Sequence, residues 1–403
     1  DTGPSVRCGM KTNRPKSTRR PTSDPRITPE SVREFTVQLF GAELHAKRVL
    51  SLAMAAVGVI HATSVALHAI GRGLARAMGL DPRHATKQVD RLVGNTDVVM
   101  SRLFKPWVRF LVGPRQRIVV AMDWTEFDKD SQSTICLYLI TRHGRATPLI
   151  WRTVGRDTLA NHRNRYEDEA IELLHSCLPE AVEVTVLADR GFGDQVRYEH
   201  LALLGFDYAI RFRQNIHVTH NGETKPAIEW LAATGRAKML KDARVTCDKT
   251  PVPAVVLTHD RRMKDAWCIA TSRVDLGADG VTKLYGRRFT IEETFRDTKD
   301  IHFGLGLSAT HVHNPGRRDR LLMLTAIAYV LLVLLGAAGE RCGLDRTLKV
   351  STTKKRTLSL LNQGKYWYSA LPNMREERQV TLLEAYDSVL REHAVTQEIF
   401  AVL

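Results

Sequence analysis

The chain has 403 residues, more than one ordinary hydrophobic core accommodates, so two or three domains are expected. Lysine and arginine number 59 against 44 aspartate and glutamate residues, and this excess of 15 positive charges favours a polyanionic partner, most often nucleic acid. The six cysteines are scattered without a CxxC pair, which argues against a zinc ribbon or a disulfide scaffold and fits a reducing cytoplasm.

The composition of residues 1–28 predicts a disordered basic arm. This segment contains seven lysine or arginine residues and four prolines, and it has too few apolar side chains to bury a core. It also lacks the apolar stretch of a secretory signal. Either the arm contacts DNA phosphates or it is a leader without a role, and the composition leaves both interpretations open.

Residues 29–115 have the apolar spacing of several short helices. A first helix is expected from Pro29, because proline is favoured in a first helical turn, and Leu80-Asp-Pro interrupts the pattern before a further helix over residues 84–92. Basic outer faces make a helical DNA-binding domain the favoured interpretation. A scaffold that only packs against the core is the alternative, and no helix-turn-helix can be assigned from the pattern alone.

From Gln116 the pattern changes to short apolar, β-branched segments separated by helices. Strands are predicted over residues 117–123, 133–140, 146–154, 182–189 and 206–212, with helices over 162–177 and 194–204. Three strands, a helix, a strand, a helix and a strand is the order of a ribonuclease H-like core. The predicted fold is therefore α/β, with a ribonuclease H-like domain over residues 116–340 that follows an all-α N-terminal domain.

Residues 213–280 depart from this alternation. Short strand-like segments and turn signals such as Asn221-Gly222 indicate an inserted β-rich subdomain. A helix over residues 285–299, beginning near Leu284, then returns the chain to the core. Residues 341–403 are expected to form a C-terminal helical region.

Residues 321–339 carry no charge, and by length they could span a membrane. The segment contains Thr325, Tyr329 and two glycines, and no second apolar span accompanies it. A buried core helix is therefore the preferred interpretation, and no membrane partner is expected. An integral membrane protein is the alternative.

Four residues share one narrow stripe of the helix over residues 285–299 at about 100° per residue: Tyr285, Arg288, Glu292 and Lys299. Glu293 points to another side. A solvated helix scatters its charges, so this combination of an aromatic ring, a carboxylate and two cations indicates a shared anionic ligand.

Two predicted strands end in a carboxylate, at Asp123 and Asp189. Ligand sites of open α/β sheets cluster at the carboxyl ends of strands, and Glu292 offers a third acid. Three converging carboxylates suit two Mg²⁺ or Mn²⁺ ions about 4 Å apart, a site that can carry out phosphodiester transfer. A cap or a turn is the ordinary alternative for either aspartate taken alone.

The spacing Tyr285, Arg288, Glu292, Lys299 matches the Y-(2)-R-(3)-E-(6)-K signature, and so the chain resembles the insertion-sequence-four type of DDE transposases, the group of the Tn-five and Tn-ten transposases. Asp123-Trp-Thr and Ala188-Asp-Arg accompany it. The resemblance implies a ribonuclease H-like catalytic domain with a β-strand insertion between the second aspartate and the glutamate. The separation from Asp189 to Glu292 is shorter than in better-known relatives, which indicates a reduced insertion.

The resemblance also implies roles for single residues. Asp123, Asp189 and Glu292 would hold two Mg²⁺ or Mn²⁺ ions. The residues that would contact the phosphates of the transposon end are Tyr285, Arg288 and Lys299.

Other predicted DNA contacts lie outside the signature. Trp267 stands where relatives place a tryptophan that stacks on a flipped base during hairpin formation, although a tryptophan in an apolar strand is usually a core residue. Phe289 replaces a tryptophan of the Tn-five pattern, so stacking at that position is in doubt. Arg190, Arg211 and Arg213 are expected on backbone phosphates, with solvated surface arginines as the alternative.

The predicted function is cut-and-paste DNA transposition in the bacterial cytoplasm, at the nucleoid. Water nicks one strand, the freed 3′-OH forms a hairpin with the opposite strand, and the reopened end joins target DNA. The family implies a homodimer that binds two transposon ends. Two alternatives stay open: a ribonuclease H-like nuclease that cuts without joining, and an inactive DNA-binding protein derived from a transposase.

Overall fold

A computed structural model describes residues 29–261, 263–391 and 399 of the chain. The basic arm predicted for residues 1–28 lies outside the described residues, as does nearly all of the predicted C-terminal region beyond residue 391. Between residue 29 and the first strand the structure has five helices: α1 (Pro29–Phe40), α2 (Ala46–Ala62), α3 (Leu67–Met78), α4 (Pro82–Gly94) and α5 (Met100–Val112).

The first part of the sheet has three antiparallel strands followed by two that run parallel to the first. They are β1 (Arg117–Phe127), β2 (Gln132–Ile140), β3 (Ala146–Gly155), β4 (Glu183–Ala188) and β5 (Asp207–Phe212). Their spatial order is β3-β2-β1-β4-β5, with β1 parallel to β4 and β4 parallel to β5. The helices between them are α6 (Arg156–Leu159), α7 (Arg163–Cys177) and α8 (Gln195–Leu203).

Five further strands extend the same sheet beyond β5. They are β6 (His217–His220), β7 (Glu223–Pro226), β8 (Lys238–Val245), β9 (Thr250–Thr258) and β10 (Trp267–Thr271). β10 pairs antiparallel with β5, so the β-rich segment forms one ten-stranded sheet with the core. The prediction of a β-rich segment matches these strands, but they do not form a sheet of their own. Hydrogen bonds between β5 and β10 provide the continuity.

The chain then returns across the sheet in one helical run. It comprises α9 (Gly277–Gly286), a 3₁₀ turn over Arg287–Phe289, and α10 (Thr290–Lys299). The predicted start near Leu284 was wrong, because the helix already begins at Gly277. Residue 284 is the point at which the pattern becomes charged, and a change of polarity does not end the backbone hydrogen bonding of a helix.

The last part of the described chain consists of α11 (Pro315–Arg341), α12 (Leu360–Ala370) and α13 (Glu376–Arg391). α11 packs against α12, α13, α2 and β3. By length and composition it is apolar enough to cross a membrane, and 94% of its most apolar window is buried inside the molecule. The bent pair α2–α3 passes the same test together. In this structure α11 is a core helix around which the other helices and the sheet pack.

The helical N-terminal part and the sheet share a continuous core. Trp107 of α5 is fully buried, and its indole N–H donates a hydrogen bond to the carbonyl of Pro148 in β3 at 2.8 Å. Trp151 of the same strand packs edge-on against Phe104 of α5. The helices before β1 are therefore held firmly on the sheet.

Candidate active site

The two predicted aspartates lie side by side at the carboxyl ends of the paired parallel segments of β1 and β4. The parallel register pairs Met122 of β1 with Ala188 of β4, so the next residues, Asp123 and Asp189, leave the paired region at the same level. β1 itself continues to Phe127 through its antiparallel pairing with β2, so Asp123 does not end the strand as predicted. It ends only the parallel part, which is what determines its position beside Asp189.

Arg288 joins two of the three predicted acids. Its side chain is only 4% exposed, and its Nη1 lies 3.1 Å from Asp123 Oδ2 while its Nη2 lies 2.7 Å from Glu292 Oε1. Glu292 is 49% exposed, so this carboxylate faces solvent on its other side. The guanidinium therefore connects strand β1 to helix α10 and occupies the space between two carboxylates.

Tyr285 and Arg211 hold the third acid. The Tyr285 hydroxyl donates a hydrogen bond to Asp189 Oδ1 at 3.3 Å, and Arg211 Nη1 lies 3.8 Å from the same oxygen. Tyr285 is fully buried, so its ring cannot shift without disturbing the core. Asp189 is thus fixed by a neutral donor from α9 and a cation from β5.

Lys299 reaches the same strand but not the carboxylates. Its Nζ donates to Thr125 Oγ1 at 3.1 Å and to the Glu126 carbonyl at 2.7 Å, and it lies over the Phe127 ring. The ammonium therefore anchors the extension of β1 beyond Asp123. Its predicted phosphate contact stays a prediction.

Glu293 points away from the carboxylates, as the helical wheel predicts. Its Oε2 lies 3.6 Å from Arg145 and 3.1 Å from Arg296, and neither arginine contacts Asp123 or Asp189 in the described part of the chain. Two adjacent glutamates thus have different surroundings, which makes Glu293 a matched control for Glu292.

The electrostatics of the site follow from its burial. Burial raises the pKa of Asp123 to about 6, and the neighbouring charges of Glu292 and Asp189 add to that shift. Arg288 and the backbone N–H of Trp124 act in the opposite direction. The pKa of Tyr285 is also raised, mainly by burial, so its hydroxyl stays protonated and able to donate.

The pKa of Arg288 responds to two opposed effects. Burial acts to lower this pKa, but Tyr285 and the three carboxylates together outweigh it, and the pKa is raised. The guanidinium is therefore charged, and it balances part of the negative charge of the three acids.

Trp267 and Phe289 form an aromatic wall beside these residues. The Trp267 ring lies 4.9 Å from the Tyr285 ring and 5.9 Å from the Phe289 ring, measured between centroids. Phe289 is 39% exposed, and Trp267 is partly buried. Trp267 therefore packs on the helical run while keeping some exposed surface, which is compatible with either predicted role.

The predicted arginines line a shallow cavity next to Asp189. A cavity of about 320 Å³ is bounded by Arg190, Arg211 and Arg213, together with Asp265. Arg190 and Arg213 are exposed. Arg211, which pairs with Asp189, therefore adjoins a basic surface formed by Arg190 and Arg213.

A buried network under Asp123 escaped the sequence prediction. The indole N–H of Trp124 donates to Glu167 Oε1 at 2.7 Å, and Arg197 Nη2 lies 2.6 Å from Glu167 Oε2. Glu167 and Arg197 are both 2% exposed. The signal was present, since Glu167 shares the helical spacing of Ile171 and Leu174 and so places an acid on the apolar face of α7.

The acids offer the oxygen donors that Mg²⁺ and Mn²⁺ prefer. Among the residues that the structure describes, no three His, Cys, Asp or Glu side chains are arranged to hold a metal ion. Arg288 lies between Asp123 and Glu292 and hydrogen-bonds to both. The donor set fits a divalent metal, provided that the guanidinium moves out of the space between the acids.

Residues 158–331 match the family model described as "Transposase DDE domain". The match covers less than half of the chain and supports a DDE transposase family, hence an enzyme that acts on DNA. The matched segment contains Asp189, Glu292 and the helical run, whereas Asp123 precedes it. No curated protein matches the chain.

Proposed function

We propose that the chain is a DDE transposase of the insertion-sequence-four type, which cuts and joins DNA by phosphoryl transfer. The observation that carries the proposal is the convergence of Asp123, Asp189 and Glu292 through Arg288 and Tyr285. The family match supports a DDE transposase, and the position of Asp123 beside Asp189 supports adding Asp123, which the matched segment does not include.

The domain organisation that we propose follows the strand order. The order β3-β2-β1-β4-β5, with β2 antiparallel to its neighbours, supports a ribonuclease H-like catalytic domain over residues 116–340. Residues 213–280 are its β-rich insertion, residues 29–115 are its helical DNA-binding domain, and the described residues from 341 to 391 form a C-terminal helical region. The site lies where the parallel strands end, next to the insertion.

Asp123, Asp189 and Glu292 would hold two Mg²⁺ or Mn²⁺ ions, which when bound supply Lewis acidity toward the scissile phosphate. The chain's own residues position these acids. The Trp124 N–H orients Asp123 at 2.9 Å, and Tyr285 orients Asp189. Exposed Arg190 and Arg213 would contact backbone phosphates beside the scissile bond.

The proposed reaction alternates hydrolysis by water with transesterification by the freed 3′-OH. The oxygen of a water molecule attacks phosphorus at the transposon end, the bond to the 3′-oxygen breaks, and that oxygen takes up a proton. The resulting 3′-OH then attacks phosphorus in the opposite strand to give a hairpin, the bond from that phosphorus to the 3′-oxygen of the flanking DNA breaks, and this oxygen leaves with a proton. Trp267, with the Phe289 ring beside it, would offer a stacking surface for the base that the hairpin displaces.

A second water attacks the hairpin phosphorus and breaks its bond to the 3′-oxygen, which regenerates the 3′-OH. This 3′-OH then attacks phosphorus in target DNA, and the 3′-oxygen of the target strand leaves with a proton. We propose that two copies of the chain act together, one on each transposon end, in the bacterial cytoplasm. Duplex DNA is then both substrate and partner.

Glu292→Gln and Glu293→Gln provide the test, because the two glutamates are adjacent but have different contacts. The substrate is duplex DNA containing both flanks of the coding region, incubated with Mg²⁺ and a target plasmid. The first variant should lose cleavage by more than about 100-fold, and the second should stay within about threefold of the unmodified chain.

The products separate the alternatives. Joined plasmid supports transposition, whereas cleaved ends that never join would indicate a nuclease. Binding without any cleavage by the unmodified chain would indicate an inactive DNA-binding protein. Equal loss from both glutamate variants would contradict the assignment of Glu292.

A further inference from the structure

We propose that α3, the turn over residues 79–81 and α4 form a helix-turn-helix, and that α4 enters the major groove of duplex DNA. The inference rests on the proposed function in taking DNA as the substrate, and it assigns the element that reads it. A helix-turn-helix consists of two helices joined by a turn of three or four residues that often contains glycine, with the second helix in the major groove.

The turn has the residues that this connection requires. Gly79 ends α3 with a φ of 64°, in the left-handed region that glycine adopts without strain, and its N–H donates to the Ala75 carbonyl. The Asp81 side chain accepts from the N–H groups of Arg83 and His84 at 2.9 and 3.0 Å. The end of α3 and the start of α4 are thus both capped within three residues.

The two helices approach each other closely. A Cβ on Gly71 of α3 would lie 2.5 Å from the Cα of Thr86 in α4, so only glycine allows this contact. Ile70 and Leu74 of α3, with Ala85 and Val89 of α4, are fully buried. α2 packs on α3 at a bend of 97° and completes a three-helix unit.

The outer face of α4 is basic and accessible. Arg83, Lys87 and Arg91 follow one another at intervals of four residues, and all three are exposed. In the part of the chain that the structure describes, none of them has an ion-pair partner. Asp90, the one acid within α4, is paired with Arg317 of α11. Among the described residues, the face therefore presents positive charge without a paired acid.

A groove of about 660 Å³ runs between this face and α2. Its polar lining combines phosphate-binding and base-reading groups, contributed by Arg48, Ser51, His84, Lys87, Gln88 and Arg91. Arg48 is paired with Asp97 at the rim. Glutamine can pair with adenine, and arginine or lysine with guanine, in the major groove. Charge complementarity thus favours duplex DNA as the occupant.

The reading helix has a firm base. Arg320 of α11 donates to the carbonyl of Val93 at 2.6 Å, and Arg317 holds Asp90. α11 is the core helix, so the end of α4 is fastened to the most buried element of the chain. A rigid support is what a helix needs to place side chains on base edges reproducibly.

In the test, the full chain is used to select the duplexes that it binds most tightly from a pool of random 30-base-pair DNA, in the absence of divalent metal. The affinity of the enriched duplex is then measured for Lys87→Ala, for Arg91→Ala and for the double variant. Lys354→Ala, an exposed lysine after α11 with no ion-pair partner among the described residues, is the matched control. Thermal unfolding of each variant shows that it is folded.

The double variant should bind the enriched duplex about 100-fold more weakly, and Lys354→Ala should bind like the unmodified chain. A second selection with Gln88→Ala should lose preference at one base position. Three outcomes would overturn the inference: no common sequence in the enriched pool, unchanged affinity of the double variant, or an equal loss in the Lys354 control.

Binding in the absence of metal separates this inference from the proposed function. A chain that binds through α4 but never cleaves its flanks would retain the helix-turn-helix and lose the transposase assignment. If the chain cleaves its flanks while its α4 variants bind DNA normally, the transposase assignment is retained and the helix-turn-helix is rejected.

Discussion

Arg288 shows how much one side chain contributes to the site. It is buried, and its two terminal nitrogens pair with acids from a strand and a helix. A guanidinium between two carboxylates reduces their mutual repulsion and takes the space that a metal ion would share with them. Metal ions and Arg288 should therefore compete for Asp123 and Glu292.

Replacing Arg288 with glutamine should tighten Mn²⁺ binding by about 10-fold, because the competing cation is removed. Isothermal titration without DNA measures this directly. Arg287→Gln is the control, since Arg287 lines a separate cavity with Arg117 and Lys283. The same Arg288 variant should lose DNA cleavage. Unchanged or weaker Mn²⁺ binding would contradict the competition.

Asp123 should make stability depend on pH. Its pKa is raised from 3.8 to about 6 in the folded chain, mainly by burial. The folded state therefore binds the proton more tightly than the unfolded state. The contribution of protonated Asp123 to the stability of the folded state is complete below pH 4 and is lost as the pH rises through about 6.

The side chain of Asp123→Asn cannot ionise. The free energy of unfolding of this variant, relative to that of the unmodified chain, should therefore rise by about 3 kcal/mol from pH 4 to pH 7.5. Urea unfolding at pH 4, 5.5 and 7.5 without divalent metal gives the comparison. A difference in the free energy of unfolding that is constant with pH would show that Asp123 titrates normally.

At the scale of elements, the residues of the charged stripe stay on one side of the helical run even though a 3₁₀ turn interrupts it. The 3₁₀ turn over Arg287–Phe289 lies between two α-helices. In a 3₁₀ turn residues three apart face the same side, which keeps Tyr285 and Arg288 together. Arg288 and Glu292 are then four apart at the start of α10 and pair directly.

Helix α7 supports the site from beneath through Glu167. This carboxylate accepts from the Trp124 indole and pairs with buried Arg197. Glu167→Gln should destabilise the chain by about 3 kcal/mol, because buried Arg197 would lose one of its two carboxylate partners and keep only the more exposed Asp168. Glu172→Gln on the same helix, 58% exposed, should change stability by less than about 0.5 kcal/mol. Urea unfolding at pH 7 distinguishes them, and equal effects would contradict the support role.

At the scale of the whole molecule, the 15 excess positive charges should make DNA binding depend strongly on salt. If six to ten phosphates are contacted, affinity for duplex DNA should fall by about 10³- to 10⁵-fold between 50 and 200 mM salt. Fluorescence anisotropy over a salt series measures the slope. A flat response would show that the basic surfaces do not contact phosphate.

The sheet organises these surfaces. β10 pairs with β5, and this pairing brings Trp267 and Arg211 to the end of the sheet at which Asp189 follows β4. The sequence predicted the strands of the β-rich segment but not their union with the core sheet. Strand pairing depends on hydrogen bonds between distant segments, and periodicity within one segment does not report its partner.

The sequence by itself determined the order of helices and strands in the described core and predicted the three acids and the charged stripe, because hydrophobic period and residue spacing are local properties. Only the tertiary structure decided which of these residues meet. Asp123 and Arg288 are 165 positions apart, and Glu167 and Trp124 are 43 apart. Strand register and burial bring such groups together. They also set the raised pKa of Asp123, the anchoring of Lys299 on β1 and the exposure of α4.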